Sequence, residues 1–273
     1  MSVRLIALDL DGTLFGDDLI ISDRTRTAIA AAQSAGILVT IATGRMFRSA
    51  VHVARELAIS GPLICYQGAL IRHHPSGEVL LHKTVPLPDA LEVIAATRRA
   101  KLHLNVYLDD ELYVESATPE ALYYSRINMD LPLNEVGELG TWLSKAGGEP
   151  TKLVIVTDPG RTDAVLAEYT SRFGADLQVT KSHPRFTELT NAQCSKGRAL
   201  ALVAAHHRVA QAEVMAIGDG LNDLDMLTWA GYGIAMGGSP EAVLSACRIV
   251  CPTVELDGAA EAIERYALGR TFG

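Results

Sequence analysis

Cysteine is scarce in this 273-residue chain. Its four cysteines, Cys65, Cys194, Cys247 and Cys251, are scattered, and none stands in a C-x-x-C pattern. Reduced, structural thiols are therefore expected rather than a disulfide framework. Positive charge is also short. The 24 Lys and Arg are outnumbered by 32 Asp and Glu, and a net charge of -8 speaks against nucleic acid or an anionic membrane surface as partner. It does not speak against a small phosphorylated substrate, which responds to its local site and to any bound metal. No apolar run approaches the length of a transmembrane helix. Only Arg4 precedes the first apolar stretch, and acids stand where a signal peptide would continue apolar, so the cytoplasm is the expected compartment. Repeats and low-complexity segments are missing too. With 48% hydrophobic and 21% charged residues, the composition is that of a globular protein, long enough for one large domain or two ordinary ones. Both a monomer and a homodimer are compatible with it.

What is present is an alternation of strand and helix patterns. Val3 to Leu8, Ile37 to Ala42 and Leu63 to Tyr66 read as buried strands. Helices are expected from Arg24 to Ser34, with Ser22 as N-cap, and from Met46 to Ala58. Short apolar strands separated by helices predict βαβ units and a parallel sheet. From Pro86 to about Arg185 the segments become more amphipathic, and several strands look half-exposed, as in a sheet covered on one face. Buried-strand character returns at Val214 to Ile217 and Gly233 to Met236. The simplest architecture is α/β. A doubly wound, Rossmann-like parallel-sheet core is built from 1–83 and 188–273, and 84–187 forms an inserted α/β domain. Connections near Lys83-Thr84 and Phe186-Thr187 are expected to act as hinges.

The chemistry is concentrated at strand ends. Asp9-Leu10-Asp11-Gly12-Thr13-Leu14 closes the first apolar run. Alternate residues of a strand point the same way. Both carboxylates can therefore lean toward one site outside the carboxyl end of the sheet, where ligands of open α/β folds bind. Two such acids can divide the labour of nucleophile or metal ligand and proton donor. A solvated turn would use the same residues. Ile41-Ala42-Thr43-Gly44-Arg45 puts a hydroxyl and a glycine before a helix, which suits a phosphate oxygen as well as an ordinary N-cap. Lys196 stands in the first turn of a helix, where a cation is disfavoured unless an anion is near. Gly218-Asp219-Gly220-Leu221-Asn222-Asp223 sets more carboxylates at another strand end. These hard oxygen ligands suit Mg²⁺.

In that order, the four sites resemble the haloacid dehalogenase (HAD) superfamily. Ala42-Thr43-Gly44-Arg45, Gly218 to Asp223 and Ile234-Ala235-Met236-Gly237 narrow the likeness to its Cof-type sugar-phosphate phosphatases, with a large α/β (C2B-type) cap as the insert. The resemblance implies a Mg²⁺-dependent phosphatase of small phosphorylated metabolites. In it Asp9 would form an aspartyl phosphate, and Asp11 would protonate the leaving alcohol and then activate water. Thr43 and Lys196 would hold phosphoryl oxygens, with Leu10, Gly44, Arg45 and Asn222 on the substrate side. Asp9, the Asp11 main-chain carbonyl, Asp219 and Asp223 would hold the metal. Three positions depart from the family pattern: Gln67 where Asn-Gly-Ala is usual, Gly238-Ser239 in place of Asn-Ala, and Val254 to Gly258 near the end. A phosphomutase of phosphomannomutase type and a non-enzymatic metabolite-binding protein are the rival readings.

Several residues read as structural. His73-His74 and His206-His207 lack acid or Cys partners at ligand spacing. Asp17-Asp18 reads as a solvated loop. Tyr123-Tyr124 and Trp142 read as packing within the insert, and Arg45 either touches substrate or pairs with an acid.

Overall fold

The computed structural model describes residues 2–16, 18–128 and 130–270, so the Asp17 half of the expected Asp17-Asp18 loop lies outside them. Leu5–Leu8 (β1) is buried at every position, as befits a strand inside a parallel sheet. The Ser22 hydroxyl accepts the Thr25 N–H at 3.1 Å and so starts α1 (Asp23–Ser34). Next come β2 (Leu38–Ile41), α2 (Phe47–Glu56), β3 (Gly61–Cys65), β4 (Leu70–His74) and β5 (Val79–His82). The middle of the chain contributes α3 (Leu87–Arg99), β6 (His103–Leu108), β7 (Glu111–Val114), α4 (Pro119–Ile127), β8 (Asn134–Glu135) and α5 (Leu139–Ala146). It closes with β9 (Lys152–Val156), α6 (Pro159–Phe173), β10 (Leu177–His183) and β11 (Phe186–Asn191). The last part adds α7 (Lys196–His206), β12 (Val214–Gly218), α8 (Leu224–Trp229), β13 (Tyr232–Met236), α9 (Glu241–Ala246), β14 (Ile249–Cys251) and α10 (Gly258–Ala262).

Two units result, Met1–Leu80 with Ser195–Gly273, and Leu81–Cys194. In the first, the strand order is β14-β13-β12-β1-β2 and every pairing is parallel. The chain leaves β1 toward β2 and later returns on its other side at β12. That reversal makes the β1/β12 boundary the topological switch point of a doubly wound sheet, the place where such folds bind ligands. β3 departs from expectation in part. It lies parallel to β2 as expected, through a bridge between Ala42 and Ile64 and a bond from the Thr40 hydroxyl to the Pro62 carbonyl at 2.6 Å, but its ladder is antiparallel, with β4 in a separate sheet ordered β3-β4-β5. A buried apolar run does not reveal the direction of its partner.

The second unit carries a sheet of order β10-β11-β9-β6-β7-β8, antiparallel except for β7 with β8. One face builds a core of its own from residues such as Val93, Val106, Leu143, Ile155 and Tyr169. The other is not bare as expected. Helix α4 lies on it, with the Tyr124 ring 4.8 Å from Phe186 and its hydroxyl 2.7 Å from that of Tyr107. Trp142 stacks on Tyr113 at 4.2 Å.

The expected boundary after Thr187 falls inside β11, which is hydrogen-bonded to β10 on one edge and β9 on the other. Phe186-Thr187 is therefore a strand, not a hinge. At the other expected hinge, the Thr84 carbonyl accepts from Asn191 Nδ2 at 2.9 Å and Lys83 donates to Gln193 at 2.9 Å. Both ends of the insert are thus fastened within their own unit. Among the described residues no helix is long and apolar enough to cross a membrane.

Candidate active site

Asp9 follows β1 directly, and its N–H donates to the Ile217 carbonyl of β12 at 3.0 Å. The chain then turns tightly, with the Thr13, Leu14 and Phe15 N–H groups converging on the Leu10 carbonyl. The Leu10 side chain is in the core, so its expected substrate contact can come only from its main chain. Gly12 sits at φ +80°, and a Cβ there would lie 2.4 Å from a carboxylate oxygen of Asp219. Only glycine satisfies both the left-handed backbone and the close approach. Thr13 Oγ1 donates to Asp219 Oδ1 at 3.0 Å, which ties the first loop to the loop after β12.

Lys196 is the hub. Its buried Nζ donates to Asp9 Oδ1 at 2.7 Å and to Asp223 Oδ1 at 2.6 Å. The other Asp223 oxygen accepts the main-chain N–H groups of Asp219 and Gly220 at 3.1 and 2.9 Å. The anion that a lysine in a first helical turn called for is thus inside the chain. Asp225 adds another at the same helix end, accepting the Gly197 N–H at 2.8 Å. Asp9, Asp219 and Asp223 each offer one oxygen within 4.8 Å of the others.

Three carboxylates around one ammonium leave an excess of negative charge. Burial, then the Asp223 charge, pushes the Asp9 carboxyl well above the usual carboxylate range, against the pull of Lys196. The same two causes raise Asp219 to about 7. Burial disfavours the charged form of Lys196, but Asp223 and Asp9 outweigh it and raise its pKa. Hard oxygen donors with unbalanced negative charge fit a divalent cation such as Mg²⁺.

Asp11 stands apart. Its carboxylate is not in that group, and the expectation of a metal contact concerns its main-chain carbonyl. Arg45 grips it with two bonds, Nε to Oδ2 at 2.8 Å and Nη2 to Oδ1 at 2.6 Å. The arginine side chain is buried and the aspartate side chain 55% exposed. The structure therefore shows the pairing that the sequence left open for Arg45. Thr43 is fully buried, and its Oγ1 accepts the Arg45 N–H at 3.1 Å. It is not a helix N-cap, because α2 starts only at Phe47 with Met46 in the capping position. Gln67, which the sequence marks only as a departure from the family pattern, also belongs to this cluster. It is buried, its N–H donates to the Thr43 carbonyl at 3.1 Å, and its Oε1 accepts from Asn222 Nδ2 at 3.1 Å. A Cβ on Gly44 would sit 2.4 Å from Gln67 Nε2. The signal available was a polar residue before Gly-Ala at the end of a buried strand.

The pattern of haloacid dehalogenase-like hydrolases matches residues 6–263. The chain belongs to this family. It is 27% identical to the putative phosphatase YxeH of Bacillus subtilis, over 98% of this chain and 99% of that one. It is 30% identical to the 5-amino-6-(5-phospho-D-ribitylamino)uracil phosphatase YcsE of the same organism, over 98% and 97%. A haloacid dehalogenase-like hydrolase from Bacteroides thetaiotaomicron superposes with a TM-score of 0.86 at 31% identity, covering 96% of this chain and 99% of the other. As a haloacid dehalogenase-like hydrolase, the chain is an enzyme of the phosphatase type, with the Rossmann-like core and inserted α/β domain that the sequence predicts.

Proposed function

We propose that the chain is a Mg²⁺-dependent phosphatase of small phosphorylated metabolites, sugar phosphates among them, and that it works through a phosphoaspartate on Asp9. One observation carries the reading. Lys196 is held between Asp9 and Asp223 with Asp219 alongside, while the second acid of the pair, Asp11, is kept out of that group by Arg45. This arrangement supports a reading in which the buried acid attacks phosphorus and the solvent-accessible acid moves protons. The YcsE relative, named for the phosphate ester of a small metabolite, supports the substrate class.

Asp9, Asp219, Asp223 and the Asp11 carbonyl would hold the ion. Bound Mg²⁺ supplies positive charge beside the phosphoryl oxygens, and Lys196 and Thr43 add a cation and a hydroxyl. A carboxylate oxygen of Asp9 bonds to phosphorus as the bond to the ester oxygen breaks, and Asp11, protonated from solvent once its pair with Arg45 opens, gives that oxygen its proton. Asp11, now a carboxylate, takes a proton from water. The water oxygen bonds to phosphorus, and the Asp9 carboxylate is released with inorganic phosphate. Charge stabilisation and positioning dominate such phosphoryl transfers.

The test is phosphate release from a panel of phosphorylated metabolites. Asp9→Asn should reduce it to background while the melting temperature stays close to that of the wild type. Asp11→Asn should lose about 10²–10⁴-fold on alkyl phosphates, the usual worth of acid–base help. With p-nitrophenyl phosphate the leaving group needs no proton, so phosphoenzyme should accumulate. Full activity in excess chelator would remove the metal from this reading. Phosphoryl exchange on a hexose phosphate without release would move it to the phosphomutase.

A further inference from the structure

The residues Tyr66, Gln67 and Gly68 all have positive φ, at 52°, 58° and 89°. Such a run in residues other than glycine persists only where its surroundings hold it. Here they do. The Tyr66 N–H donates to the Arg45 carbonyl at 3.0 Å, and the Gln67 N–H to the Thr43 carbonyl at 3.1 Å. Gly68 presses on the N-cap of α7, where a Cβ would lie 2.3 Å from the Ser195 carbonyl oxygen. The turn is therefore clamped between the Thr43-Gly44-Arg45 loop and the helix that carries Lys196. What it presents from that clamp is the Gln67 side chain, which is 4% exposed. One end of its carboxamide accepts from Asn222 Nδ2, and the other lies against Gly44.

Two loops of the proposed phosphate site arrive from different strands, one after β2 and one after β12. The Asn222 carboxamide donates through Nδ2 to Gln67, with its Oδ1 turned toward the side of Gly220 that a Cβ would occupy. We infer that Gln67 is a positioning residue. It sets the orientation of the Asn222 carboxamide and the distance between the Thr43-Gly44 loop and the Asn222 loop, and so tunes the grip on the phosphoryl oxygens. This inference rests on the phosphatase reading. It makes the departure from the usual Asn at this position functional, because a side chain one methylene shorter, set on the same clamped backbone, would end short of Asn222.

Holding phosphate equally in ground and transition states changes KM and leaves kcat alone. Gln67→Ala should therefore raise the KM for p-nitrophenyl phosphate and the inhibition constant of inorganic phosphate together, by about five- to tenfold, the worth of one hydrogen bond. kcat should stay within about a factor of two, since uniform binding does not enter it. In an Asn222→Ala background the same change should have little further effect, because the two residues act as one unit. Gln67→Met keeps the length of the side chain and adds no charge, but removes the acceptor for Asn222. It should raise both constants about as much as the alanine change, with a melting temperature near that of the wild type, and it answers the question if the alanine variant fails to fold. Unchanged KM and phosphate inhibition in the folded variants, or fully additive effects with Asn222→Ala, would overturn the role of Gln67. A wild-type protein that releases no phosphate from any ester fails the parent reading instead, so the two failures are distinct.

Discussion

Asp219 is the residue at which function and stability oppose each other most plainly. Its carboxyl is raised to about 7 in the fold, by burial first and by Asp223 second. In the unfolded chain it titrates near the ordinary Asp value of about 3.9. The folded state therefore binds this proton more tightly, and the sign of the linkage follows. Below about pH 4, where both states are protonated, the group costs nothing. The cost grows as pH rises from there and is complete above about 7. In chelator, Asp219→Asn should thus melt a few degrees higher than the wild type at pH 8 and at nearly the same temperature at pH 4. Mg²⁺ should reverse the order at pH 8, because a ligand that binds only the folded state stabilises it by mass action, and the variant lacks one of the three carboxylates. Melting curves at two pH values, with and without Mg²⁺, check both signs. A variant that melts lower than the wild type at pH 8 in chelator would show that Asp219 is satisfied without a metal.

Among the elements, legibility in the sequence followed the kind of residue. The ends of β1 and β12 could be read because apolar strands running into Asp-rich, Gly-containing loops have few other uses. The structure brings Asp9, Asp219, Asp223 and Lys196 together there. Strand β11 could not be read, because Phe186-Thr187-Glu188-Leu189-Thr190-Asn191 looks like a polar connection. It is a central strand because Glu188 meets Lys152 of β9. Their charges are 3.3 Å apart with both side chains almost fully buried, and Ser182 donates a further bond to Glu188 at 2.6 Å. Each of the two alone reads as a surface charge, and nothing in the spacing announces that they pair. The turn at Gln67 was hidden for a related reason, since its conformation is imposed by distant loops. A buried ion pair contributes little net stability, but removing one partner strands the other. Lys152→Met should accordingly cost about 3–5 kcal/mol. The double change Lys152→Met with Glu188→Leu should recover much of it. Denaturant titration of the wild type and the two variants measures this. Equal destabilisation by the single and double changes would mean that the pair packs its surroundings rather than neutralising charge.

At the scale of the whole molecule, the division into two units sets what each part can contribute. Every candidate catalytic, metal-holding or phosphate-holding side chain named above, from Asp9 to Asp223, belongs to Met1–Leu80 with Ser195–Gly273. Leu81–Cys194 supplies none of them, yet it closes a hydrophobic core of its own and fastens its two ends to each other. A unit that folds around its own core can be exchanged if the cuts respect it. We therefore expect the insert to select the leaving group while the rest performs the chemistry. A chimera joined at His82/Lys83, which leaves β5 whole, and at Cys194/Ser195, carrying the insert of a relative with another preference, should fold and adopt the donor's ranking of phosphorylated metabolites. Its activity on p-nitrophenyl phosphate should change far less, because that ester asks little of any selecting surface. A chimera joined at 83/84 and 187/188 should fail to fold, since it splices β11 from two proteins and places Lys152 and Glu188 on opposite sides of a junction. Phosphate-release profiles of the two chimeras and their melting curves decide the matter. If the first chimera folds well and keeps the original ranking, selection resides outside the insert. Gln67 and Gly238, where the chain departs from its family's pattern, then become the next positions to vary.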